Sequence, residues 1–186
     1  MNTTTQSLTL EEFLQLPETK PASEYIEGQI LQKPMPKSKH SLLQLQVCNA
    51  VNDVAAKAKI AYALPELRCT FGGRSIVPDV AVLLWQNIEF DENGEPIDDV
   101  KIAPDWTIEI LSPEQSSNRV TGNILHCLQH GCRLGWLIDP GDRSILVFRP
   151  NQSPVLCRDP GDRLPVPNDI PLNLTTAQVF DWLKIV

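Results

Sequence analysis

Hydrophobic residues recur with a helical period in four segments of the chain. The clearest is the segment 38–58, whose apolar stripe consists of Leu43, Val47, Val51, Val54 and Ala58. Shorter helices are predicted over about 10–16, over 117–130 and near the end of the chain, where the sequence T-T-A-Q-V-F-D-W-L-K follows a proline-rich stretch.

Short apolar runs between turn residues predict the strands. The run E-Y-I-E-G-Q-I-L-Q indicates a hairpin around Glu27-Gly28. Further strands are expected at 59–64, 66–71, 75–84 and 105–111, and a last hairpin turns at P-G-D between 133–139 and S-I-L-V-F. The order of elements predicts a mixed α/β fold with one central sheet flanked by helices. The chain has no glycine-rich phosphate loop.

Two of the predicted strands each contain one acidic residue among apolar neighbours. Asp79 lies in V-P-D-V-A-V-L-L and Glu109 in T-I-E-I-L-S-P. Alternate residues of a strand share a face, so Glu109 lies beside Thr107 and Leu111. If the two strands are neighbours, one register sets the two carboxylates side by side. Their repulsion would be removed by a divalent cation such as Mg²⁺, which favours oxygen ligands and can activate water for attack on a phosphate.

Length and composition place the chain among ordinary globular proteins. Its 186 residues suit one domain spanning 1–186, and 42% of them are hydrophobic. No apolar run approaches the roughly 18 residues that cross a bilayer, and the first residues lack the pattern of a signal peptide. A cytoplasmic location without membrane partners is therefore expected.

The negative charge is concentrated in one loop. Residues 85–106 contain seven acidic residues and one lysine, a net charge of −6 out of −7 for the whole chain. We expect an acidic loop at about 85–104 and an irregular proline-rich segment at about 150–174. The nearly neutral remainder does not indicate strong phosphate binding, but it does not exclude metal-dependent contact with nucleic acid.

The cysteines and histidines allow one alternative metal. The five cysteines are odd in number and form no C-x-x-C pair, which favours free thiols in a reducing compartment. His126 and His130 lie one helical turn apart with Cys127 and Cys132 nearby, a spacing that could hold zinc. Zinc is disfavoured because Cys127 belongs to the apolar stripe of its helix and no second half-site is present.

An ordered set of motifs resembles a known family. The motifs T-L-E-E-F-L-Q-L-P, E-Y-I-E-G-Q-I, the helix entry at His40, P-D-V-A-V-L, T-I-E-I-L-S-P and H-G-C-R-L-G-W-L-I-D-P extend from about residue 8 to 150. They resemble the Uma-type, restriction-endonuclease-like proteins of the P-D-(D/E)-x-K nuclease superfamily. The resemblance implies a restriction-endonuclease-like core and hydrolysis of DNA phosphodiester bonds with Mg²⁺ or Mn²⁺. Nucleases of this fold often act in pairs, so a homodimer is compatible with it.

The same resemblance assigns roles to individual residues. Asp79 and Glu109 match the metal ligands, and the backbone carbonyl of Ile110 is a candidate third ligand. Glu24 and His40 match family positions near the front of the pattern and are candidates for accessory roles.

The sequence departs from the family at the lysine. The superfamily lysine two residues after the acid is replaced by Leu111, and the lysine found on the next helix in much of the Uma-type family is replaced by Asn123. Arg119, one turn earlier on that helix, could substitute. Two functions therefore remain open: a metal-dependent endonuclease assisted by Arg119 or Asn123, and a catalytically degenerate protein that serves as a binding or assembly module.

Each acid also has a purely structural interpretation. Glu109 could form an ion pair within the sheet, with Arg68 or Arg74 as its partner. Asp79 could be an acid at a turn or strand edge after Pro78. Glu24 could lie on the surface of the hairpin, and His40 could face solvent at the start of its helix.

Overall fold

Two β-sheets and four α-helices make up the part of the chain that the structure describes, residues 8–113 and 115–185 of a computed structural model. The start of the chain, where no signal peptide is predicted, lies outside the described residues. The helices α1 to α4 are Leu10–Leu14, Ser38–Ala55, Ser117–Gln129 and Thr176–Asp181. No helix among the described residues is long and apolar enough to cross a membrane.

The smaller sheet has four antiparallel strands. Its members are β1 (Ser23–Ile26), β2 (Gln29–Gln32), β4 (Cys69–Phe71) and β5 (Arg74–Ile76), in the spatial order β2-β1-β5-β4. The predicted hairpin is confirmed, and Glu27 and Gly28 form its turn with positive φ angles.

The larger sheet has six strands in the order β10-β9-β8-β7-β6-β3. These are β3 (Ala61–Pro65), β6 (Val80–Leu84), β7 (Trp106–Ile110), β8 (Leu134–Asp139), β9 (Ser144–Phe148) and β10 (Val155–Cys157). β7 and β8 are parallel and the other neighbours are antiparallel, so the sheet is mixed as predicted. β10 gives the proline-rich segment one short strand.

The helices cover opposite faces of the larger sheet. The stripe of α2 packs into the main core against Trp106, Ile108 and Ile110 of β7. Val120 and Ile124 of α3 pack on the other face, against β8 and β9. Residues at odd positions of β7, including Glu109, therefore face the side of α3.

The predicted strand at 75–84 is wrong in one respect that shapes the site. The run is divided into β5 and β6, which belong to different sheets, so a second, smaller sheet accompanies the predicted central mixed sheet. Pro78 has no N–H to donate to a ladder, and the N–H of Val77 is bonded to the carboxylate of Glu24 instead. Asp79 therefore lies in the connection between the two sheets rather than inside a strand.

All five cysteines are free and buried, in agreement with the expectation of free thiols. Burial raises the pKa of Cys69 to about 12 and that of Cys48 to about 11. Their thiols are therefore packing groups rather than nucleophiles at neutral pH.

Close packing of α3 on β8 depends on one glycine. A Cβ at Gly135 would lie 2.3 Å from Cγ2 of Ile124, which is fully buried. A Cβ at Gly122, inside α3, would meet nothing within 4 Å.

These two glycines should therefore respond oppositely to alanine. We expect Gly135→Ala to lower the free energy of unfolding by about 1–3 kcal/mol because it overpacks the core. Gly122→Ala should raise it by about 0.5–1 kcal/mol because a helical position loses the flexibility of glycine. Urea denaturation of both variants measures the difference, and equal effects would contradict the packing described for α3.

Candidate active site

Asp79 is held at the junction of the two sheets by contacts to both of its carboxylate oxygens. Oδ2 accepts a hydrogen bond of 2.7 Å from the backbone N–H of Ile110. Oδ1 accepts one of 2.6 Å from Nζ of Lys33 and lies 3.3 Å from Nε2 of His40. The residue is 2% exposed, so these contacts replace its hydration.

Glu109 lies beside Asp79 in the predicted register. β6 and β7 pair antiparallel with Val80 opposite Ile108, and extending the pairing by one residue sets Asp79 opposite Glu109. The Oε2 atom of Glu109 lies 3.9 Å from Nζ of Lys33. Its other oxygen, Oε1, is buried and has no hydrogen-bond partner among the described residues.

Glu24 is a third buried acid at the same junction. It lies on β1, and its Oε1 accepts a hydrogen bond of 2.9 Å from the N–H of Val77. The side-chain N–H group of Asn123 on α3 donates to Glu24 at 3.3 and 3.2 Å. The surface interpretation of Glu24 is thus wrong, since the residue is only 2% exposed.

Lys33 also belongs to this cluster, although no sequence motif identified it as a site residue. It follows β2 directly, and its ammonium group donates to the carbonyl of Val77 at 2.6 Å as well as to Asp79. Its side chain is 9% exposed. Arg68 and Arg74, the ion-pair partners considered for Glu109, instead pair with Glu18, which precedes β1, and with Glu27 in the hairpin turn.

The hairpin register contained a signal for Lys33. Residues opposite each other in an antiparallel pair share a face, and Glu24 lies opposite Leu31. Lys33 is two residues beyond Leu31 and therefore projects on the side of Glu24. Counting outward from the Glu27-Gly28 turn therefore places this lysine on the same face of the hairpin as Glu24.

The charges of the cluster are strongly coupled. Burial opposes the charged form of Lys33, but Asp79, Glu109 and Glu24 outweigh it and raise the pKa of the ammonium above its usual value. Burial would also raise the pKa of Asp79, yet Lys33 and His40 hold it well below its usual range. For Glu109 burial dominates over the attraction of Lys33, and the pKa of this carboxyl is raised.

A cleft of about 550 Å³ opens next to the acids. His40 connects the two, because it lines the cleft and contacts Asp79 with Nε2 and Ser112 with Nδ1. The cleft is also bordered by Lys37, Lys39, Leu111, Pro113, Gln115 and the Asp139–Gly141 turn. His40 is 8% exposed, so the expectation that it faces solvent is wrong.

The predicted substitutes for the missing lysine are Asn123 and Arg119, both on α3. Asn123 contacts Glu24, as described above. Arg119 is half-buried on α3 and forms no ion pair with Asp79 or Glu109 in the described part of the chain. Its assistance in catalysis stays a prediction.

The donor atoms suit a hard divalent cation. Mg²⁺ is commonly held by one or two carboxylates together with water, and Glu109 offers a buried oxygen that has no partner. Within residues 8–113 and 115–185, no three side chains of His, Cys, Asp or Glu converge as a ready-made metal cage. The zinc alternative is also unsupported, because His126 contacts the carbonyl of Phe71 and His130 that of His126.

Comparison with known proteins identifies the family of this chain. Residues 10–179 match the family described as "Uma2: Putative restriction endonuclease", and the chain belongs to this family. Its fold is similar to the crystal structure of a "putative nuclease belonging to DUF820" from Anabaena variabilis ATCC 29413, with a TM-score of 0.93 and 52% sequence identity. The match covers 95% of this chain and 99% of that one. No curated protein shows a significant match.

The resemblance to Uma-type proteins and the restriction-endonuclease-like α/β fold are therefore confirmed. The roles of Asp79, Glu109 and Ile110 as metal ligands remain predictions. So do the accessory roles of Glu24 and His40.

The unequal contacts of the two central acids predict unequal effects on stability. In the presence of chelator, Asp79→Asn should lower the free energy of unfolding by about 3–5 kcal/mol, because it leaves the Lys33 ammonium buried without its main partner. Glu109→Gln should change it by at most about 1 kcal/mol, the scale of one hydrogen bond, since Glu109 accepts few contacts. Denaturant titrations at neutral pH compare the variants, and a larger loss for Glu109→Gln would contradict the contacts described.

Proposed function

We propose that this chain is a divalent-metal-dependent endonuclease that hydrolyses phosphodiester bonds in DNA. The observation that carries the proposal is the pair of buried carboxylates, Asp79 and Glu109, set opposite each other with one oxygen of Glu109 unpartnered. Membership in a family described as restriction endonucleases supports the same activity.

Asp79 and Glu109 would hold Mg²⁺ or Mn²⁺, with the carbonyl of Ile110 as a candidate third ligand. Such an ion, when bound, supplies a Lewis acid that stabilises charge on the phosphate and lowers the pKa of water. The ion also favours the charged form of both acids, so its binding competes with a proton on Glu109 and with Lys33 on Asp79.

The remaining residues would bind and orient the substrate. Lys37 and Lys39 border the cleft beside the acids, where positive charge can attract the phosphate backbone. His40 is positioned between the cleft and Asp79, so it can orient that carboxylate or donate to a phosphate oxygen. The acidic loop carries the opposite charge and would turn away from DNA.

A second candidate function is favoured by one specific observation. Asp79 is fully satisfied by Lys33, His40 and the N–H of Ile110 without any metal. This is the arrangement expected of a protein that keeps the fold but uses the junction as a structural ion pair. Such a protein would act as a binding or assembly module.

The nuclease proposal predicts metal-dependent nicking of supercoiled plasmid. Purified protein should nick in Mg²⁺ or Mn²⁺ and not in chelator, and Asp79→Ala and Glu109→Ala should each abolish nicking. Asp53→Ala is a matched control because Asp53 is an exposed acid on α2. Gel electrophoresis measures the products.

Two outcomes would contradict the proposal. Nicking that survives Asp79→Ala would show that the activity belongs to another site or to a contaminant. Calorimetric binding of Mn²⁺ without any cleavage by the folded protein would favour the binding module.

A further inference from the structure

The ammonium group of Lys33 lies among the acids of the proposed site although its strand belongs to the other sheet. It is 2.6 Å from both Asp79 Oδ1 and the carbonyl oxygen of Val77, and 3.9 Å from Glu109 Oε2. Among the described residues, no other lysine or arginine forms an ion pair with Asp79 or Glu109. The Lys33 ammonium at this position would face a negatively charged group that binds beside these acids.

Lys33 is linked to the cleft through Asp79 and His40. His40, which lines the cleft, approaches the same Oδ1 atom of Asp79 that Lys33 binds. The ammonium and the imidazole therefore converge on one oxygen from two elements, β2 and α2. A lysine side chain is long and flexible, so its ammonium can exchange Asp79 for a neighbouring phosphate oxygen without movement of the backbone.

Lys33 and Asn123 reach the cluster of acids from different parts of the fold. Asn123 on α3 contacts both oxygens of Glu24, and the charge of Glu24 also acts on Lys33. The cluster thus has a neutral amide on the side of α3 and an ammonium on the side of β2. Replacing either residue with one of different charge changes the net charge of this one cluster.

We propose that Lys33 is the catalytic cation of this site, and the proposal rests on the nuclease function proposed above. In the reaction, a water oxygen forms a bond to phosphorus and the bond from phosphorus to the leaving sugar oxygen breaks. The electron pair stays on that oxygen, which takes a proton from solvent, and the attacking water loses a proton to solvent. The Lys33 ammonium donates hydrogen bonds to a non-bridging phosphate oxygen as negative charge accumulates there.

The test moves the ammonium group from β2 to α3. Plasmid cleavage in Mn²⁺ is measured for the wild type, Lys33→Met, Asn123→Lys and the double variant. Lys33→Met should lower kcat by about 100-fold or more, the scale found when one donor to a developing oxyanion is removed. The double variant should regain at least a tenth of wild-type cleavage, and Asn123→Lys alone should give no tenfold gain over the wild type. Lys57→Met, at an exposed position after α2, is the matched control.

A second readout separates catalysis from a structural role. Calorimetric titration with Mn²⁺ should give Lys33→Met an affinity equal to or tighter than that of the wild type, because a competing cation has been removed. Asp79→Ala should lose binding. Circular dichroism at the assay temperature shows whether each variant is folded. If Lys33→Met is not folded, the cleavage by Asn123→Lys compared with that by the wild type still tests the role of Lys33.

The outcomes distinguish this proposal from the nuclease assignment. If the wild type cleaves DNA and Lys33→Met cleaves it equally well, the proposed role of Lys33 is overturned and the nuclease assignment is kept. Cleavage at least tenfold greater in Asn123→Lys than in the wild type would also overturn it, since it would show that the site lacks its cation. Absence of cleavage in every variant would overturn the nuclease assignment, and the role of Lys33 with it.

Discussion

The burial of three carboxylates at one junction is the constraint around which this fold is arranged. Glu24, Asp79 and Glu109 are each 2% exposed, and an unpaired buried charge is far too costly for a protein of this size. The structure compensates in three ways: an ammonium at Asp79, backbone N–H groups at Asp79 and Glu24, and a raised pKa at Glu109. Stability without metal and the proposed binding of a metal would therefore depend on the same few atoms.

The junction exists because the chain changes sheets at Val77–Asp79. Pro78 prevents a continuous ladder, and the freed N–H of Val77 goes to Glu24 of the smaller sheet. Asp79 then begins the larger sheet beside Glu109, and its own carbonyl accepts hydrogen bonds from Gln44 of α2 and from the N–H of Glu66. One short connection thus joins both sheets and α2 at the point where the acids meet.

Local patterns predicted much of this arrangement from the sequence. The alternation of β7 identified the face of Glu109, the helical stripe identified α2, and the pairing of β6 with β7 agreed with the register that sets the acids together. These features depend on neighbours along the chain or on one strand pair. The division of 75–84 between two sheets was missed because each half is apolar and short, so nothing in its periodicity marks the break.

The position of Lys33 could not follow from a motif, because it depends on how one sheet lies on the other. The hairpin register fixes the face of Lys33, but only the packing of the smaller sheet sets its distance from Asp79. That information is spread over residues of both sheets, such as Phe71, Ile76 and Ala81, which share a small core with Cys127 of α3. The role of Arg119, one turn before Asn123 on α3, likewise depends on tertiary packing and stays a prediction.

The small core between the two sheets controls how they are positioned relative to each other. Lys33 directly follows a strand of the smaller sheet, whereas Asp79 and Glu109 lie at the larger sheet. The distance between Lys33 and these two acids therefore depends on how the two sheets are aligned across their small apolar core. A shift of one sheet relative to the other would change the distance between the backbones that carry Lys33 and Asp79 while each sheet kept its own hydrogen bonds. Distant changes in this thin layer can therefore uncouple the charges of the junction without unfolding the chain.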